Sequence, residues 1–118
     1  MMNPEAFSSP AAIMGLEARY FTDANLYQRI KEEVFFKSWL LACHNSQLGK
    51  PGDYYTLTII DQDIIITRDQ QGELGAMYNV CQHRGHKLAS GSGNRKLLVC
   101  PYHRWSYDLA GKLKAAPN

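Results

Sequence analysis

Cys81-Gln82-His83 and Cys100-Pro101-Tyr102-His103 are the two stretches on which the reading of this chain turns. Each offers one soft thiolate and one imidazole, and positions 84 to 99, sixteen residues, lie between them. Each follows a short apolar run, 74–80 before the first and 97–99 before the second, so a sheet can hold two loops facing one another. Two thiolates and two imidazoles suit tetrahedral zinc or an iron–sulfur centre. A zinc finger more often keeps like ligands together, cysteine near cysteine and histidine near histidine. Here each short motif mixes them. That order lets the two cysteines take one iron of a two-iron cluster and the two histidines the other.

The flanking chain reads as short strands. Lys50-Pro51-Gly52-Asp53 is a turn, 54–60 a strand rich in β-branched and aromatic residues, Asp61-Gln62-Asp63 a turn, and 64–68 a strand pairing back. A turn over 69–73 leads to a third strand, 74–80. Gly85, Gly91 and Gly93 mark irregular backbone over 82–95, with further strands at 97–99 and 105–109 and the last strand ending near Leu113. Strands and turns at this spacing predict a mainly β fold, an antiparallel sandwich or small barrel. One α-helix precedes it, within a lead-in over 21–41. Thr22 or Asp23 caps it, Leu26, Ile30 and Val34 recur at helical spacing, and it ends near Trp39. Phe35 and Trp39 widen the apolar stripe and are expected to pack on the sheet. Residues 1–20, with Asn3-Pro4, Ser8-Ser9-Pro10 and Gly15, read as an N-terminal arm. Residues 42–118 form the β domain.

Composition narrows the class. The 118 residues fit one domain, and 45% hydrophobic with 20% charged residues is a globular balance. A net charge of +2 with no dense Lys/Arg block gives no reason to expect a nucleic-acid partner. The longest apolar stretch, 34–43, is interrupted by Lys37 and Ser38 and falls short of the ~20 residues a membrane span needs. No basic segment precedes an apolar one at the start, so a cytoplasmic protein is expected. Three cysteines, an odd number, argue for metal-binding thiols rather than a disulfide framework.

Cys81-Gln82-His83-Arg84-Gly85 and Cys100-Pro101-Tyr102-His103-Arg104-Trp105-Ser106-Tyr107-Asp108-Leu109 resemble the two cluster-binding loops of Rieske proteins. More narrowly, they are similar to the Rieske domain in the α subunit of Rieske non-haem iron, ring-hydroxylating type oxygenases. Tyr20-Phe21-Thr22-Asp23, Val34-Phe35-Phe36-Lys37-Ser38-Trp39 and Pro51-Gly52-Asp53-Tyr54 resemble that family's lead-in and first strand, so the resemblance covers about residues 16–117. It implies a Rieske-type antiparallel β-sandwich and a [2Fe-2S] cluster ligated by Cys81, His83, Cys100 and His103. Arg84, Gly85, Tyr102, Arg104 and Trp105 would surround the ligands.

High-potential respiratory Rieske proteins carry an extra cysteine in each loop; the corresponding residues here are His86 and Tyr102. Those proteins also place a sulfur-bonding serine where this chain has Trp105. Fewer hydrogen bonds to sulfur imply a potential in the lower part of the family range of about −150 to +300 mV. Family oxygenases usually have glycine where this chain has Arg104. An ordinary φ is expected there, since a left-handed one would cost arginine roughly 1–2 kcal/mol. Tyr102 and Trp105 should pack around the cluster and limit water. Cys43 reads as a structural thiol, and His86 as a surface or neighbouring residue of the first loop. Arg84 reads equally as a solvated cation or as a partner for a carboxylate across a subunit contact.

The resemblance implies electron transfer. An NAD(P)H-dependent flavin reductase or a ferredoxin would supply single electrons. A mononuclear Fe(II) in a C-terminal catalytic domain, of the same or a neighbouring subunit, would receive them. There an organic substrate would be hydroxylated with O₂. The chain has no residues for that second iron, so it is expected to be a C-terminally incomplete Rieske portion with an unpaired sheet edge. The full-length protein would be a homo-oligomer. A stand-alone Rieske ferredoxin and a structural zinc module are the alternatives. The lead-in helix argues against the ferredoxin, and the mixed ligand order against zinc.

Overall fold

The computed structural model describes residues 15–117. They fall into two compact units, one ending at Leu40 and one beginning at Leu41. The first holds helices α1 (Arg19–Thr22) and α2 (Ala24–Glu33) and a 3₁₀ turn at Phe35–Lys37. Of the two candidate caps it is Asp23 that starts α2: its carboxylate accepts from the N–H groups of Asn25 and Leu26 at 2.8 and 3.2 Å. Thr22 instead donates its hydroxyl to the Ala18 carbonyl.

The expected helix is α2, and its bounds differ from the expectation. α2 stops at Glu33, and Arg19 and Tyr20, assigned to the arm, lie in α1. The cause of the early stop is local. Val34-Phe35-Phe36 is a run of poorer helix formers, and the Ser38 hydroxyl donates to the Val34 carbonyl at 2.6 Å. The rest of the arm, 1–14, lies outside the described residues. Within this unit, α2 and the 3₁₀ turn bury no residue.

The second unit opens with a 3₁₀ turn, Asn45–Leu48, whose N-cap is His44. Strands β1 (Asp53–Ile59), β2 (Gln62–Arg68), β3 (Leu74–Tyr78) and β4 (Ser92–Asn94) form an antiparallel sheet ordered β3-β2-β1-β4. Strands β5 (Leu98–Val99), β6 (Ser106–Tyr107) and β7 (Leu113–Ala115) form a second antiparallel sheet in sequence order. Arg68 ties the 3₁₀ turn to the sheet by donating to the Leu48 and Gly72 carbonyls and to the Asn45 side chain.

The β1–β2 hairpin closes on Ile60 and Asp61, at φ +47° and +66°, because Ile59 pairs with Gln62. Two central residues at positive φ give the twist that a two-residue hairpin loop needs. β4 falls in the stretch expected to be irregular. Glycine eases it: a Cβ on Gly93 would sit 3.0 Å from the Tyr54 ring, so any other residue there would press on that ring. Both sheets contribute to one core, Tyr54 and Ile65 from the first, Leu98 and Tyr107 from the second. Cys81, Cys100, Leu88, Ala89 and Leu109 complete it. The two cysteines are thus held by the core itself, between the sheets' loops.

Candidate metal centre

Both loops are built on one backbone frame. In the first, the Cys81 N–H donates to the His86 carbonyl at 2.8 Å and the Gly85 N–H to the Cys81 carbonyl at 2.9 Å. In the second, the Cys100 N–H donates to the Trp105 carbonyl at 2.8 Å and the Arg104 N–H to the Cys100 carbonyl at 3.0 Å. Each frame turns on a left-handed residue four places after its cysteine: Gly85 at φ +71° and Arg104 at φ +63°. The ordinary φ expected for Arg104 is therefore corrected. The loop demands the left-handed form, and arginine carries the cost of about 1–2 kcal/mol.

The histidines break the symmetry, the first two residues after its cysteine and the second three. Their rings nevertheless meet, with centroids 4.6 Å apart and edge to face. Cys81 and Cys100 are 1% and 2% exposed. The Nδ1 atoms of His83 and His103 are both sealed from solvent with no hydrogen-bond partner. Buried polar atoms are nearly always satisfied, so two adjacent orphans call for an acceptor of their lone pairs. Among the described residues no three His, Cys, Asp or Glu side chains gather as a cage for one metal ion. Soft sulfur and imidazole donors arriving as two pairs fit a two-iron cluster better than a single zinc.

The surroundings are ordered. Trp105, half-buried, stacks on His83 at 4.8 Å with planes 9° apart, and Tyr102, exposed, tilts over His103 at 3.8 Å. Tyr107 is 4% exposed; its hydroxyl accepts from the Gln82 N–H at 3.0 Å and lies 3.4 Å from Cys81 Sγ. With its oxygen accepting from Gln82, its proton is free to point at the sulfur. Burial alone would push the Cys81 thiol up. Hydrogen bonds from Tyr107, the His83 N–H, Cys100 and the Arg84 N–H outweigh it and hold that thiol below its ordinary range. Burial, then the bond to Cys81, pushes the Tyr107 phenol up, so it stays a donor. Burial first, then the charges of His83 and Arg84, holds the His103 imidazole below its usual value.

Of the other residues singled out in the sequence, Arg84 and Arg104 are exposed and have no ion pair among the described residues. His86 is exposed, with Nδ1 2.7 Å from the Lys87 carbonyl oxygen. Cys43 is half-buried and unbridged. Sequence reasoning assigns Tyr107 and Asn79 only to strands, 105–109 and 74–80. The structure ends β3 at Tyr78, one residue before Asn79, which is 5% exposed. An amide in an otherwise apolar strand, two residues before a ligand candidate, is the signal that could have found it.

A sandwich presenting two cysteine–histidine loops in this way defines a class, and the chain belongs to it: residues 38–118 match the Rieske [2Fe-2S] domain family. Its similarities narrow the class to the N-terminal part of oxygenase α subunits. The chain is 44% identical over 117 residues to the carnitine monooxygenase oxygenase subunit of Escherichia coli strain K12, covering 98% of this chain and 31% of that one. It is 39% identical over 103 residues to the benzene 1,2-dioxygenase α subunit of Pseudomonas putida, covering 86% and 23%. The crystal structure of the quaternary ammonium Rieske monooxygenase CntA with L-carnitine superimposes at a TM-score of 0.82, with 42% identity over 85% of this chain and 29% of that one. The chain thus spans under a third of the length of these relatives.

Proposed function

We propose that this chain is the electron-relaying portion of an oxygenase α subunit. Cys81 and Cys100 hold one iron of the cluster, and His83 and His103 hold the other through Nδ1. The observation that carries this is the pair of sealed, unpartnered Nδ1 atoms beside two buried thiols. When bound, the cluster supplies one-electron storage. The chain's own residues set the conditions. Tyr107 donates to Cys81 Sγ and favours its anionic form. Trp105 and Tyr102 cover the imidazole faces against water. The outer ring nitrogens of His83 and His103 remain on the loop tips, where an acceptor can approach.

The donor is an NAD(P)H-dependent flavin reductase or a ferredoxin. The acceptor is a mononuclear Fe(II) in the catalytic domain of the same or a neighbouring subunit, within a homo-oligomer in the cytoplasm. Inter-subunit electron transfer is reported for CntA, which supports the neighbouring subunit. No helix of the described residues is long and apolar enough to cross a membrane. A quaternary ammonium substrate is favoured over an aromatic one. The carnitine monooxygenase match runs through 98% of the chain, the dioxygenase matches through 86%. A stand-alone ferredoxin has less support, because these matches reach into the helical lead-in of oxygenase subunits.

The test is anaerobic reconstitution with iron and sulfide. About two irons and two sulfides per chain are expected, with a reduced-state EPR signal, since this ligation needs both irons. Cys81→Ser should abolish the signal and Cys43→Ser should spare it. A colourless protein holding one zinc would sink the reading.

A further inference from the structure

We infer that Asn79 is the positioning residue of the first ligand loop, supplying through one side chain the closure that strand pairing gives the second. The second loop is shut by a ladder: Leu98 pairs with Tyr107 and Val99 with Ser106 on either side of it. The first has no such ladder. Its outgoing limb leaves β3 at Tyr78, and its returning limb, Leu88 and Ala89, belongs to no strand although both residues are buried.

Asn79 joins the limbs. Its Oδ1 accepts from the Leu88 and Ala89 N–H groups at 2.9 and 3.1 Å, and its Nδ2 donates to the Ala89 carbonyl at 2.8 Å. Three buried main-chain groups that lack a sheet partner are satisfied by one amide. Asn79 is itself fixed, since its own N–H donates to the Asp63 carbonyl at 2.8 Å and carries the β2 pairing one residue past β3. The outer Lys87–Asp63 ion pair at 2.8 Å lies on the same limb but is solvent-exposed and weak by comparison. Asn79 therefore fixes the shape of the loop that carries Cys81 and His83, while the Tyr107 hydroxyl ties that loop to the second hairpin. Only an amide offers acceptor and donor together at that reach; aspartate keeps the two accepting bonds and loses the donating one.

Asn79 positions ligands only if the cluster is held as proposed above, whereas closing the loop requires no cluster. Two readouts separate these. In the full chain without metal, hydrogen exchange at the Leu88 and Ala89 amides is compared with Ile65, whose amide reports opening of the core. Asn79→Ala should lower protection at Leu88 and Ala89 by about tenfold or more relative to Ile65, as expected for buried groups losing their partner. Asn79→Asp should protect them better than Asn79→Ala. In the reconstituted chain, Asn79→Ala should shift or broaden the reduced EPR spectrum and shorten cluster lifetime under chelator challenge severalfold. The control is Thr67→Val, which removes the buried hydroxyl bond from β2 to the Leu109 carbonyl, in the turn that follows β6, and touches neither limb of the first ligand loop. It should lower the urea midpoint but keep the parent spectrum. Unchanged Leu88 and Ala89 protection in Asn79→Ala overturns the inference. So does an Asn79→Asp protein no better protected than Asn79→Ala, or a Thr67→Val spectrum altered to the same degree. A chain that forms no cluster but shows the exchange pattern would leave the loop closure standing and refute the cluster reading instead.

Discussion

Replacing Tyr107 by phenylalanine removes one oxygen atom and isolates its two tasks. The ring, 4% exposed and part of the core, stays in place. The hydroxyl's donation to Cys81 Sγ, across 3.4 Å, is lost, and so is its acceptance from the Gln82 N–H at 3.0 Å. A hydrogen bond to a charged group is worth about 1.5–3 kcal/mol. Sulfur bonds of this length sit at the bottom of that range. Reduction adds negative charge at the cluster, so the bond is stronger in the reduced state. If about 1 kcal/mol of it is specific to that state, the potential falls by ~40 mV, at 59 mV per tenfold for one electron. The loss of the Gln82 partner should cost about 1 kcal/mol of stability. Film voltammetry of parent and Tyr107→Phe proteins reads the first quantity, and urea unfolding the second. An unchanged or raised potential would refute the assignment of the hydroxyl proton to the sulfur. The bond also qualifies the expectation built on Trp105, because the sulfur lacks a serine but not a donor.

Arg104→Gly should raise stability by about 0.5–1 kcal/mol, the relief of the left-handed arginine less the entropy that glycine loses on folding. A lower urea midpoint would contradict the backbone assignment. Ile60→Asn should likewise stabilise the chain by roughly 0.5 kcal/mol or more, because a β-branched residue at φ +47° gives way to one that suits the hairpin; thermal unfolding checks it. The Lys87 ammonium, then the Thr58 hydroxyl, hold the Asp63 carboxyl below its ordinary value. Its contribution is therefore present above about pH 4 and is lost as pH falls through the lowered value. The urea midpoint of Asp63→Asn should lie below the parent's at neutral pH and converge with it in acid, and a gap that does not narrow as pH falls below about 4 would refute this.

The two Cys–His motifs that the structure brings together were legible because metal chemistry restricts which residue types can serve, and the strands because β-branched runs alternate with turns. What escaped was set by tertiary contact. Ser92-Gly93-Asn94 has low strand propensity and becomes β4 through its pairing with Asp53–Tyr55, where Gly93 leaves room for the Tyr54 ring. The end of α2 falls at a run of poorer helix formers, Val34-Phe35-Phe36, and the Ser38 hydroxyl takes the Val34 carbonyl beyond it. The left-handed turn at Arg104 is invisible in a residue that normally avoids it, although Gly85 at the matching place in the first loop hinted at it. Tyr107 and Asn79 act through partners 26 and up to 10 residues away, beyond any local pattern.

The reach of the Tyr107 hydroxyl across 26 residues also bears on how the chain comes off the ribosome. Cys81 and His83 emerge first, with neither the hydroxyl nor the second hairpin available to hold them. The β5–β6 hairpin that seats Cys100 and His103 closes over a short loop and forms quickly once it is out. The first loop must wait for that same hairpin, because Tyr107 sits on it. A nascent chain cut short before Tyr107 lacks the bonds that tie Gln82 and Cys81 to the second hairpin, so the complete site awaits that hairpin.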